Sequence, residues 1–162
     1  MEEVTLVYSE DLLRRAIKSF WWRTIGPAYI VATLLMIVPF GYLIYLGDYS
    51  WLTGVLGGGI FIAILFASVL YVTHYRNTIG KFRSLKGSTS ILKTGIEEFE
   101  IQSPIGNSKM KWSNITELWQ FKEYWLVFLS KSQFFTLPTS CLTSSIKESI
   151  LNNVRAEGGK IS

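Results

Sequence analysis

At 162 residues, 49% hydrophobic and with a net charge of +4, the chain is long enough for one or two small units and too apolar for a disordered protein. A single cysteine and a single histidine exclude a disulfide framework and a histidine-rich metal centre. The basic residues flank apolar runs rather than forming a stripe, which excludes nucleic acid as a partner.

Residues 1–24 open with EVTLVY, in which Val4, Leu6 and Tyr8 alternate with Thr5 and Val7, the pattern of a strand that can join a distant sheet. Ser9 is the N-cap candidate of an amphipathic helix with Leu12, Leu13, Ala16, Ile17 and Phe20 on one face. Two uncharged runs follow. Residues 25–46, IGPAYIVATLLMIVPFGYLIYL, would extend about 33 Å as a helix, enough for a hydrocarbon core of about 30 Å. Residues 52–75, LTGVLGGGIFIAILFASVLYVTHY, form the second span, and the 47–51 loop, GDYSW, is short enough to force an antiparallel hairpin. Pro27 and Pro39 are compatible with a membrane-spanning helix, where neighbouring groups re-satisfy the freed carbonyls.

Arg14, Arg15, Lys18 and Arg23 precede the first span, Arg76, Lys81, Arg83 and Lys86 follow the second, and the loop carries only Asp48. The positive-inside rule then places both termini in the cytoplasm, with residues 76–87 as a basic juxtamembrane segment. In the second span Gly54 and Gly58, and separately Gly59, Ala63 and Ala67, recur every four residues as smooth strips for helix packing. The partner helix is the chain's own first span through Ala28, Ala32 and Gly41, or that of a second copy in a homodimer, or a foreign membrane protein. The lone His74, at the end of the second span, reads as an interfacial anchor.

From residue 88 the period changes to two. STSILK, Thr94-Gly95 and IEEFEIQ form a hairpin with Phe99 and Ile101 inward and Glu98, Glu100 and Gln102 on the wet face. SPIGN is a turn and SKMKW a third strand; ITELWQF, WLVFLS and FFTLP make six β runs, expected to form a small antiparallel barrel or sandwich. SSIKESILNNVRAEGG, with Ile146, Ile150, Leu151 and Val154 at helical spacing, supplies a closing helix, with Ser145 and Glu148 as a capping box and Gly158 as the stop. Most of the aromatic residues of 112–129 belong in a core, while Trp119, Tyr124 and Trp125 exceed what a domain of this size needs and are candidates for a partner surface.

No catalytic constellation is visible. One histidine, one cysteine and two aspartates, Asp11 and Asp48, cannot assemble a triad, a zinc site or a paired-aspartate centre. GVLGGG lacks the lysine of a phosphate loop, and Cys141 reads as an ordinary small side chain.

The β-type start, two closely spaced spans, Gly95-Ile96, the WSNI run beginning at Trp112, an aromatic hairpin and F-x-L-P from Phe135 to Pro138 before a final helix together resemble the YcxB-like family of small bacterial membrane proteins. The resemblance implies a bacterial inner-membrane location and a pleckstrin-homology-like soluble domain over residues 88–162. It implies no catalytic residues and no cofactor. Thr139-Ser140-Cys141 stands where the family pattern has basic residues, so no ligand contact is carried over there.

The fold expectation is therefore an α+β membrane protein: a two-helix transmembrane hairpin and a small antiparallel β-barrel or sandwich closed by a C-terminal helix. The functional expectation is a non-enzymatic, membrane-anchored interaction module with a protein partner, one version being protection against a membrane-acting toxin. The alternative is a sensor of anionic lipid at the inner leaflet, using the basic collar Arg76, Lys81, Arg83 and Lys86, each cation contributing about 1 kcal/mol near an anionic surface.

Overall fold

The computed structural model describes residues 2–84, 89–104 and 106–162. They form two compact units, one made of the chain up to Ala16 together with Thr78–Ser162 and the other of Ile17–Asn77.

Strand β1 (Glu2–Val7) leads into α1 (Glu10–Tyr45), and α2 (Trp51–Tyr75) returns antiparallel to it. A single π-type turn, Arg76–Gly80, and the short α3 (Lys81–Ser84) continue from α2. Ser9 is the N-cap: its Oγ accepts from Leu12 N at 3.2 Å. Helix α1 is two helices joined at Gly26, where φ is 71° and ψ 161°. Two local forces converge there. The proline ring of Pro27 disfavours helical geometry in the residue before it, and glycine alone tolerates the positive φ. Pro27 thus opens the second helical segment, where a missing N–H costs nothing. Between α1 and α2 the backbone reverses at Gly47 (φ 70°), and the Asp48 carboxylate accepts from Ser50 N at 2.9 Å and Ser50 Oγ at 3.0 Å. That carboxylate organises the turn and lies favourably at the positive end of α2.

The first unit is built on two four-stranded sheets. The first has the order β1-β2-β3-β4, with β2 (Thr89–Thr94), β3 (Glu98–Ser103) and β4 (Gly106–Lys111), all antiparallel. The second has the order β7-β6-β5-β8, with β5 (Glu117–Gln120), β6 (Tyr124–Ser130), β7 (Gln133–Pro138) and β8 (Lys160–Ile161). Helix α4 (Ser144–Ala156) precedes β8. As its alternation implied, β1 joins the distant sheet, pairing Val4 with Leu92 and Leu6 with Ser90.

The sheets do not close into a barrel. A 3-10 turn at Trp112–Asn114 diverts the chain after β4, so β4 and β5 are not neighbours, and the other edge of β5 is taken by β8 in parallel. Both sheets nonetheless contribute to one core: Leu6, Leu92 and Phe99 from the first, Leu118, Trp125, Val127 and Leu137 from the second, and Ile146, Ile150 and Val154 from α4. Along the seam between β1 and β7, side chains stand in for a ladder. Tyr8 OH donates to Thr136 O at 3.1 Å, and Val7 N donates to Cys141 Sγ at 3.3 Å. Burial, with the Cys141 thiol close by as a lesser cause, pushes the Tyr8 phenol pKa well above its ordinary value.

Two details of α4 differ from expectation. Its N-cap is Thr143, whose Oγ1 accepts from Ile146 N at 3.3 Å, while Ser145 Oγ donates to Glu2 at 2.8 Å instead of capping. Gly158 does end the helix, in the left-handed region (φ 81°), and the chain then adds β8, which a two-residue strand without period cannot announce. This return depends on Gly159, where a Cβ would lie 2.7 Å from Val154 Cγ1 and 3.0 Å from Ile115 O. Replacing Gly159 with alanine is expected to destabilise the β-rich unit by about 1–3 kcal/mol through overpacking. The denaturant midpoint of the full chain in mild detergent measures it; a change under a few tenths of a kcal/mol would disprove the tight contact.

Candidate functional site

Helix α2 carries its two small-residue strips on opposite sides, because nine positions at about 100° each bring Ala63 half a turn from Gly54. Gly54 and Gly58 are exposed, and a Cβ on either would meet nothing within 4 Å. Gly59, Ala63 and Ala67 face α1. A Cβ at Gly59 would lie 3.5 Å from Met36 Sδ. The backbone carbonyl of Ala63 accepts from Tyr29 OH at 2.7 Å, and that of Ala67 from Trp21 Nε1 at 2.8 Å. Small side chains are required because an aromatic donor must come close enough to share a carbonyl already used in the helix. The expected partners Ala28, Ala32 and Gly41 are exposed instead. What packs against α2 from α1 is large: Trp21, Tyr29, Met36 and Phe40. Gly57, which the four-residue spacing did not single out, is the tightest position, with a Cβ 3.0 Å from Phe40 Cε2.

At one end of this hairpin the rings gather. Trp21 meets Tyr71 edge-on at 6.4 Å, Tyr71 stacks on Tyr75 at 5.9 Å, and Phe20 lies 4.4 Å from His74. Beside them runs a furrow of about 740 Å³ lined by Lys18, Trp21, Trp22, Ile64, Ala67, Ser68, Tyr71 and Val72. A smaller hollow of about 160 Å³, sharing Trp21, Ile64 and Ala67, continues it along Tyr29 and Ala63.

Of the basic collar, Arg76 and Lys81 are exposed, and Lys86 lies outside the described residues. Arg83 is held by Glu10: its Nη2 lies 2.7 Å from Oε1 and its Nε 3.1 Å from Oε2. Arg14 reaches the same carboxylate, Nη2 to Oε1 at 2.6 Å. One carboxylate thus joins the segment before the first apolar helix to the segment after the second. The two guanidinium groups hold the Glu10 carboxyl at about 2, below its ordinary 4.5, through their hydrogen bonds first and their charge second.

Trp119, Tyr124 and Trp125, expected as a partner surface, are buried. Trp125 and Val127 enter the common core, and Tyr124, Leu126 and Phe128 are buried on the opposite face of β6. There Trp119 packs on Phe128 at 4.4 Å, and Arg15, in the first turns of α1, pairs with Glu123 at 2.8 Å. A strand covered on both faces needs large apolar residues at every position, which explains the apparent excess. Outside the hairpin unit, the large apolar side chains most open to solvent among the described residues are Val7 and Ile96, the latter 92% exposed at the β2–β3 turn.

The short motifs of the sequence hold the fold together. Trp112 Nε1 donates to Gly95 O at 3.1 Å and its ring packs on Phe99 at 4.7 Å, so Gly95-Ile96 and the WSNI run meet. Phe135 lies 5.8 Å from Phe99, and after Pro138 the Thr139 amide and hydroxyl donate to Glu123 O at 3.0 Å and Lys122 O at 2.9 Å. Thr139 therefore ties off the β5–β6 turn.

The family model for YcxB-like protein matches residues 95–151, from the β2–β3 turn to the middle of α4. No curated protein and no solved structure matches the chain.

Two outcomes follow from the geometry. Gly57→Leu should destabilise the hairpin by about 1–3 kcal/mol through its clash with Phe40, whereas Gly58→Leu should leave it within about 0.5 kcal/mol; thermal unfolding in detergent compares them, and equal effects would refute the assignment of faces. For Glu10 the lowered folded-state pKa means that its contribution is complete above its ordinary 4.5 and is lost as pH falls towards about 2. The Tm difference between the natural chain and Glu10→Gln should be largest at neutral pH and vanish across that window; a difference independent of pH would exclude the ionised carboxylate as its source.

Proposed function

On the premise that this chain is YcxB-like in its β-rich part, we propose that it is a non-enzymatic module anchored in the bacterial inner membrane, its hairpin fixing a pleckstrin-homology-like domain at the cytoplasmic face to bind another protein. The observation that carries the reading is the contrast between the units. The β-rich unit buries its large apolar side chains, whereas the hairpin leaves Leu35, Val38, Phe61 and Ile62 more than 60% exposed along its length. An apolar surface of that extent is stable against lipid and unstable against water.

The pairing of β1 with β2 bears on topology. These strands flank the hairpin in sequence and share a sheet, so in a membrane-inserted chain both flanks lie on one side. The positive flanking segments support the cytoplasm as that side. With Trp119, Tyr124 and Trp125 inside the fold, the most exposed large apolar side chain of the β-rich unit among the described residues is Ile96 at the β2–β3 turn, and it is the contact offered to a partner. Protection against a membrane-acting toxin is one process such a module would serve. The alternative, a sensor of anionic lipid, draws on Arg76 and Lys81, while the engagement of Arg83 by Glu10 reduces what the collar offers to a headgroup.

The test combines topology and mass. Full-length protein should resist alkaline extraction from membranes, and the β-rich unit should be digested by protease in inverted vesicles but not in intact spheroplasts. Native mass spectrometry of gently extracted protein should show a discrete second polypeptide that Ile96→Asp removes. Recovery in the soluble fraction would refute the anchor, and a chain carrying no second polypeptide would refute the module and favour the lipid sensor.

A further inference from the structure

The hairpin furrow has a shape and lining that packing alone does not require. Its lining joins one exposed cation, Lys18, and the hydroxyl of Ser68 to the rings of Trp21, Trp22 and Tyr71 and the aliphatic Ile64, Ala67 and Val72. Two hydrogen bonds fix its walls, since Trp21 and Tyr29 are each pinned through their polar atom to a carbonyl of α2, leaving only their apolar faces to the furrow. The length is informative. From Val72 to Ala63, which line the furrow and its continuation, nine residues of straight helix rise about 14 Å, close to the roughly 15 Å depth of one leaflet of a 30 Å hydrocarbon core. The cation shares its lining with Tyr71 and Val72, near the end of the apolar run of α2, and the mainly apolar hollow continues along Tyr29 and Ala63.

We infer that this furrow seats one acyl chain of an anionic membrane phospholipid, with the phosphate headgroup on Lys18 and the chain lying along Trp21, Ala67 and Ile64 towards Tyr29. The site rests on the membrane-anchored reading given above, but it is separate from the collar that follows α2. Charge complementarity selects the occupant: an apolar slot ending in an ammonium group beside aromatic rings suits an amphiphile with a negative head, and an uncharged lipid leaves that end unmatched. The pinned rings preform the slot, so little side-chain ordering is needed when the lipid enters.

The experiment uses the full chain in vesicles of equal parts phosphatidylglycerol and phosphatidylethanolamine, extracted into mild detergent for native mass spectrometry. The natural protein should retain one phosphatidylglycerol per chain. Ser68→Trp, which fills the furrow from an exposed position, should lose that lipid. Lys18→Gln should keep a lipid but lower the preference for phosphatidylglycerol about fivefold, the effect of one cation near an anionic group. Lys81→Gln, in the collar, should change nothing. A statistical spread of lipids on the natural chain, or retention unaltered by both Ser68→Trp and Lys18→Gln, would overturn the site while leaving the anchor intact. A chain that never enters the membrane fraction would overturn both.

Discussion

The β-rich unit depends on one indole. Trp112 stands where the chain leaves the first sheet for the second, and it serves both: its ring fills the space beside Phe99, its Nε1 satisfies the carbonyl of Gly95, and its own carbonyl receives Ile115 N at 2.9 Å to close the 3-10 turn. A large aromatic residue contributes more buried area than any other, but a buried indole N–H must find an acceptor. The turn at Gly95 provides it. Because the chain is redirected here, β4 ends as an edge and β5 begins beside a different neighbour, so two sheets around one core replace a closed barrel.

The hairpin solves a different problem with different means. Packing and hydrogen bonds hold the two apolar helices together. Here phenol and indole groups donate to the carbonyls of Ala63 and Ala67, and Gly57 lets the Phe40 ring approach the backbone. Small residues on α2 thus receive large residues from α1. The Gly54 and Gly58 strip, on the far side of the helix, takes no part in that contact.

How much of this was legible in the sequence depended on whether the signal was local. The strand alternation of Val4 and Leu6, the two uncharged runs, the Ser9 cap and the β2–β3 hairpin follow from neighbours in the chain, and the structure has them. The failures concern contacts distant in sequence. Nothing near Trp119 or Trp125 in the sequence says that β6 is buried on both faces, because that burial depends on residues distant in the chain. Gly57 and Gly58 are adjacent and chemically identical, and only the position of Phe40 separates their roles. Thr143, extended just before the first turn, caps α4, and Ser145, already inside the helix, donates to Glu2 at the opposite end of the chain. Short motifs matched in the family model were legible as letters, but their meaning was structural: Gly95, Trp112 and Thr139 each close a turn.

The Glu10 node lies where the sheet and the apolar hairpin meet in the chain. A chain whose sheet is completed by a strand from before an apolar hairpin must bring the two flanks of that hairpin together, and strand pairing alone does so only at β1 and β2. Glu10 does so a few residues closer to the apolar helices, where it joins Arg83 of α3 to the first turn of α1. An exposed ion pair of this kind adds little stability by itself, because solvent screens it and side-chain entropy opposes it. Two guanidinium groups on one carboxylate instead fix a position: the bidentate geometry of Arg83 admits few orientations, and Arg14, four residues along the same helix, shares its Oε1. The node also changes the charge presented by the flanks. Three ionised groups carry a net single positive charge, so the cationic character of this region is expressed through Lys18, Arg76 and Lys81 more than through Arg14 and Arg83, and attraction to an anionic leaflet would act on those residues first.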